Sequence, residues 1–217
     1  MRRPRLAAAV LVLGLAATSC SDGGAARTPS ATAGLEQTAP GGESPVPNAT
    51  DIGFSQDMAT HHDQALLMAQ QALVRGGPAV RSLGLSILSA QAVESGALRG
   101  WLRLWDEPPV NAEPMAWMSH GDDEHHAGGG ASMPGMASAE ELFELSRLRG
   151  AEFDRLFLQL MVRHHLGGVE MGTACLESDA SPLVRDSARA MVAEQVEDLG
   201  VMRALLSDAG APELAYP

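Results

Sequence analysis

The sequence predicts an all-α fold: a four-helix bundle made of two repeated αα-hairpins with a long connection rich in methionine and histidine. Three observations predict it. Four stretches, at about 51–75, 79–105, 139–177 and 182–208, place apolar residues at helical spacing, and none alternates as a strand would. Each pair is divided by a short break, "RGGP" at Arg75 to Pro78 and "SDASP" at Ser178 to Pro182, with proline at the next helix start. The second pair also repeats the first. Asp51, Phe54, Met58, His61, His62 and Met68 recur 103 residues later as Asp154, Phe157, Met161, His164, His165 and Met171. Gln91 and Glu94 return one residue further on as Gln195 and Asp198. A repeat that holds one antiparallel helix pair implies two hairpins.

At the start of the chain, "MRRPRLAAAVLVLGLAATSC" places Arg2, Arg3 and Arg5 ahead of an apolar run from Leu6 to Ala17. This is the pattern of an export signal over residues 1–20. The run is shorter than the about 20 residues a membrane span needs. Ala17-Thr18-Ser19-Cys20 resembles a bacterial lipobox, so Cys20 is expected to carry lipid. That predicts an exported protein of the cell envelope, anchored on the outer side of the cytoplasmic membrane, with plain secretion as the alternative. Residues 21–48 are rich in Gly, Pro, Ser, Thr and Ala and read as a flexible tether. The bundle domain spans 49–212 and contains the connection, 106–137.

The chain of 217 residues carries a formal charge of −12. Its bases are all arginine. This balance disfavours nucleic acid or an anionic surface as partner and suits a metal ion; the membrane enters only through the lipid anchor. With Cys20 lipidated, Cys175 is expected to be a small buried hydrophobe.

In the first helix Asp51, Phe54, Met58, His61, His62 and Ala65 fall on one side, together with the apolar residues. The histidines therefore face inward. The second helix turns Leu83, Ile87, Gln91, Glu94, Leu98 and Trp101 to the interior. The last helix does the same with Ala188, Met191, Gln195, Asp198, Met202 and Leu205. Counting an equal rise outward from each break puts the histidines level with the glutamine and acid of the partner helix. The third stretch opens with a capping box, Ser138-Ala139-Glu140-Glu141, and Gly150 divides it into a short helix and a long one.

Two readings of this polar layer stand side by side. In one, the histidines form a buried hydrogen-bond network. In the other they bind metal, with Gln91, Glu94, Gln195, Asp198, Asp51 and Asp154 orienting them from behind. The connection favours metal. It holds Met115, Met118, Met133 and Met136 with His120, His125 and His126, in a Gly-rich and Pro-containing segment expected to be exposed. Thioether sulfur selects Cu(I), whereas imidazole accepts Cu(II) and zinc.

The stretches "FSQDMATHHDQALLMA", "MPGM" and "FDRLFLQLMVRHHLGGVEM", with the Gln-x-x-acid positions, resemble the family called domain of unknown function 305 over nearly all of residues 51–208. The resemblance implies a ferritin-like bundle of exported bacterial proteins, some linked to copper, with Met58, His61, His62, Met161, His164 and His165 carrying the metal hypothesis. This sequence departs from the family pattern by having Gly167-Gly168 and Glu170 after its second His pair, and the glycines are expected to weaken the helix locally.

A di-iron centre needs a Glu from each of two helices and Glu-x-x-His from the other two. Here methionine precedes each first histidine by three. No nucleophile triad, phosphate loop or paired-carboxylate motif compels an enzyme. The sequence thus predicts a copper-binding protein for sequestration, tolerance or transfer, with Met68 and Met171 as further ligand candidates. Iron, stored or oxidised, and zinc are the alternative metals, and a structural or partner-binding bundle without metal is the third reading.

Overall fold

The computed structural model describes residues 46–118 and 133–216, and every regular element among them is helical. In chain order these are α1 (Ala49–Arg75), α2 (Pro78–Leu104), a 3₁₀ turn (Ala116–Met118), α3 (Ala139–Arg147), α4 (Gly150–Glu177) and α5 (Pro182–Asp208). The signal and lipobox at 1–20, most of the tether, and His120, His125 and His126 lie outside the described residues. No described helix is long and apolar enough to cross a membrane.

The helix ends follow from local chemistry. Asn48 caps α1 in a reciprocal box with Asp51, and Ser138 caps α3 with Glu141 in the box the sequence predicts. Pro78 and Pro182 occupy the first turns of α2 and α5, where a missing N–H costs no helical bond. Gly150, at φ 57°, adopts the left-handed conformation that glycine takes without steric cost, and α4 begins there.

α1 packs on α2 and α4 on α5, and the two hairpins join along α1 and α4. Two carboxylates latch them. Asp51 Oδ1 accepts the Ser181 N–H at 2.8 Å, and Asp154 Oδ1 accepts the Gly77 N–H at 2.9 Å. Ser181 and Gly77 are the N-cap positions of α5 and α2, and neither helix has a side-chain cap of its own. Each aspartate thus supplies negative charge to a helix start in the opposite hairpin. This corrects the expectation that Asp51 and Asp154 stand behind the histidines.

The core is split. One apolar cluster gathers Ala65, Met68, Ile87, Phe153, Phe157, Met161 and Met202. The other gathers Phe54, Met58, Leu98, Met171, Cys175, Val184 and Met191. Between them on every long helix lie the polar positions: His61 and His62, Gln91 and Glu94, His164 and His165, Gln195 and Asp198. Cys175 is fully buried, as expected, and burial followed by the charge of Asp51 pushes its thiol up to about 12.

Candidate metal centre

All four helical histidines are completely buried. Their rings do not act as two sequence-adjacent pairs. His61 and His164, one from each hairpin, meet with centroids 3.8 Å apart and planes tilted by 31°. His62 and His165 face outward from this contact toward the partner helices. His62 Nε2 lies 2.9 Å from Glu94 Oε2, and His165 Nε2 lies 3.2 Å from Asp198 Oδ2. The inner two use backbone oxygens: His61 Nε2 is 3.1 Å from Pro134 O, and His164 Nε2 is 3.1 Å from His61 O.

These partners assign the tautomer. A carbonyl oxygen or an ionised carboxylate only accepts, so with Glu94 and Asp198 ionised each Nε2 carries the proton and donates. The lone pair then resides on Nδ1. In all four rings Nδ1 is buried without a partner. An unpartnered buried polar atom costs about 1–3 kcal/mol, so four of them in one layer call for an explanation.

Three of the rings, His61, His62 and His164, are also held in the form that a metal needs. Burial, then the neighbouring His62, lowers His61 to about 3, and burial, then His165, lowers His62 to about 3. His164 is held well below the usual histidine range by burial and by His61. Neutral imidazole is the ligand form. Beside them, burial raises the Glu94 carboxyl to about 7; His165 opposes the shift and Asp198 adds to it.

Thioethers flank this layer on both sides. Met58 and Met171 lie in one apolar cluster, Met68 and Met161 in the other, and all four are fully buried. The repeat explains the arrangement. Because α1 and α4 run antiparallel through the histidine contact, the methionine ahead of one His pair falls beside the methionine that follows the other. Among the described residues no three His, Cys, Asp or Glu side chains gather into a ready-made metal cluster. A metal in this layer is therefore left with pairs of imidazoles and with sulfur. Gln91 and Gln195 are buried at the same level, but Gln91 Oε1 and both amide atoms of Gln195 have no partner.

Where it is described at Met115–Met118 and at 133–137, the connection packs on the bundle instead of lying exposed as its composition suggests. Asp57 Oδ2 accepts the Met115 N–H at 2.8 Å, the Trp117 indole N–H at 2.8 Å and the Asn111 amide at 3.0 Å. Met115 and Trp117 are buried as a result, and Trp117 sits over Gly53, where a Cβ would meet its ring at 2.6 Å. Met118 and Met133 pack against the same cluster, and Met136 is half-buried. Gln64 bonds Ala137 through both its amide atoms. Gly167 has a specific use: a Cβ there would lie 2.0 Å from Pro134 O, the oxygen that holds His61. Gly168 likewise makes room for Gln195. Asp57, Gly53 and Pro134 escaped the sequence reading, because their partners lie more than 50 residues away.

The fold recurs in solved structures. A candidate secreted protein of Streptomyces coelicolor assigned to DUF305 is 36% identical, with a TM-score of 0.69 over 77% of this chain and 96% of that one. A DUF305 fragment from Deinococcus radiodurans is 33% identical, with a TM-score of 0.62 over 76% and 99%. CopM in its Cu(I)-bound form is 23% identical, with a TM-score of 0.56 over 74% and 98%, a likeness of fold. Among curated proteins none matches significantly. The family model described as domain of unknown function (DUF305) matches residues 51–206. With most of the chain matched, and with relatives above 30% identity covered almost end to end, this protein belongs to the DUF305 family.

Proposed function

We propose that the protein binds copper in the cell envelope, for sequestration, tolerance or transfer, and is exported and tethered by lipid on Cys20. The observation that carries this reading is the set of four buried imidazoles whose Nε2 atoms are all committed to oxygen acceptors. Their four Nδ1 lone pairs are left without partners. Layers of thioether stand on either side. Thioether is a soft donor that selects copper, and imidazole accepts copper beside it, whereas a di-iron centre needs clustered carboxylates. His61, His62, His164 and His165, with Met58, Met171, Met68 and Met161, would hold the copper. Glu94 and Asp198 orient His62 and His165. Met115, Met118, His120, His125, His126, Met133 and Met136 make a second, weaker set in the connection. CopM, whose fold this chain shares, has been solved with Cu(I), Cu(II) and silver bound, which agrees with this donor chemistry.

Metal analysis of the purified mature protein, with competition among copper, iron and zinc, tests the reading. Copper is expected to be retained through a chelator wash that removes iron and zinc. Tight iron binding with oxidase activity would transfer the site to the iron reading. No retained metal would leave the histidines as core polar residues.

A further inference from the structure

Gln195 of α5 is only 2% exposed, and neither its Oε1 nor its Nε2 has a partner among the described residues. A buried amide in that state is costly to keep. Gly168 of α4 locates it, because a Cβ there would press on Gln195 Oε1 and meet its Cδ and Nε2 at 2.8 Å. The amide fills a slot that only glycine leaves open. Gly168 stands three and four residues after His165 and His164, and residues at those spacings on a helix have Cβ atoms about 5–6 Å apart. The amide therefore lies within one turn of both α4 imidazoles. It also lies on their backbone side. His165 Nε2 reaches Asp198, and in the antiparallel pair Gln195, one turn before Asp198, is level with Gly168, behind the rings and away from their tips. Nδ1 is the ring nitrogen nearer the backbone, and in both rings it has no partner. The first hairpin lacks this slot: Ala65 stands where Gly168 does in the second, and its Cβ fills the space opposite Gln91.

We infer that Gln195 Oε1 is a further ligand of the copper, beside the Nδ1 atoms of His164 and His165, and that it lets a layer rich in thioether hold Cu(II) as well as Cu(I). The inference rests on the copper-binding reading and adds the residue that sets which oxidation state is held. An amide carbonyl is a harder donor than a thioether, and a glutamine oxygen in an axial position is one of the devices by which copper sites set their potential. The carboxylates at this level are already engaged. Glu94 and Asp198 take the Nε2 protons of His62 and His165, so the amide is the oxygen left on the Nδ1 side of the α4 rings.

The test titrates the full mature protein separately with Cu(II) and with Cu(I), each against a competing chelator, and records the electron paramagnetic resonance of the Cu(II) form. Gln195→Leu removes the donor. Gln195→Met, unbranched as glutamine is, puts sulfur in the same slot, and Gln91→Leu controls for the loss of a buried amide at the matching position. Gln195→Leu is expected to weaken Cu(II) binding by about 10- to 100-fold, the usual cost of losing a group that supports a metal site, with Cu(I) affinity within about twofold of the wild type. Its resonance should change, while that of Gln91→Leu matches the wild type. Gln195→Met should share the weakened Cu(II) affinity and hold Cu(I) more tightly than the wild type does. The metal-free melts of both Gln195 variants should be unchanged or raised, since each removes an unpartnered amide. Lowered melts in both would make the amide part of the fold's own bonding and overturn the assignment. Equal weakening of the two ions, a Cu(II) affinity and resonance that Gln195→Leu leaves unchanged, or an equal effect of Gln91→Leu would also overturn it and leave copper binding standing. A wild type that binds neither ion overturns both.

Discussion

Gly167 is where one hydrogen atom decides a contact. Its α-carbon sits against Pro134 O, and the space would be filled by any Cβ. Gly167→Ala is therefore expected to destabilise the protein by about 1–3 kcal/mol, the usual cost of overpacking, in urea denaturation. Gly200, on the outer face of α5 with nothing within 4 Å of its would-be Cβ, supplies the contrast. Gly200→Ala should stabilise by up to about 1 kcal/mol, because alanine is the better helix former. Equal effects at the two sites would mean that Pro134 does not press on α4. The histidines make a second residue-level prediction. His61→Ala with His62→Ala should abolish the rise in melting temperature that copper produces, even though His164 and His165 remain. The reason is that the inner contact draws one ring from each hairpin. A ligand present at a hundredfold excess over its dissociation constant adds about 2.7 kcal/mol, which a melt resolves. Retention of half the shift would show that the hairpins bind independently.

Among the elements, the connection has moved furthest from its reading in the sequence. Deleting residues 114–136 removes Met115, Trp117 and the Pro134 oxygen, and leaves Asp57 without two of its three donors. The deletion is expected to lower the melting temperature of the metal-free protein, contrary to what an exposed linker predicts; an unchanged melt would restore the linker reading. The four long helices were legible because their apolar spacing, proline starts and short breaks are local signals. The level of the polar layer was legible as well, since equal rise from a tight turn fixes which residues of a hairpin face one another. That each His pair lies level with the glutamine and acid of its partner helix follows from that count; the pairing of His62 with Glu94 and of His165 with Asp198 does not. The burial of Met115, the docking of Pro134 on Gly167 and the reach of Asp51 to Ser181 were not legible. Each depends on a partner in another element, and neither composition nor period records it. Gly167 and Gly168 read as helix weakeners for the same reason.

At the scale of the whole molecule, the polar layer sets the pH response. In the metal-free protein His61 and His62 titrate in the folded state near 3, whereas unfolded histidine titrates near 6.5. Between those values the unfolded chain binds more protons, so stability falls as the pH drops from about 6.5 toward 3, by up to about 1.4 kcal/mol per unit for each histidine. Glu94 acts oppositely. Its folded value of about 7 lies above that of an unfolded carboxyl, so its contribution grows on acidification from about 7 to 4.5. With His164 also depressed, three histidines outweigh the raised carboxyls of Glu94, Asp57 and Glu194, and denaturant midpoints measured from pH 7 to pH 4 should fall. A flat profile would mean that the rings are solvated.

The crossed latch of Asp51 to Ser181 and Asp154 to Gly77 has one more consequence. It relates the two halves by an approximate twofold axis, under which each half offers the other the same aspartate and the same open helix start. That is the rule of an isologous interface. A single hairpin already holds both members of the latch, Asp51 and Gly77 in the first, with His61 placed to meet its own copy across the axis. The covalent connection thus joins two pieces whose geometry suits a symmetric dimer, and once joined they are free to diverge. Pro134 serving His61 alone is a departure of that kind, available only after the symmetry is broken.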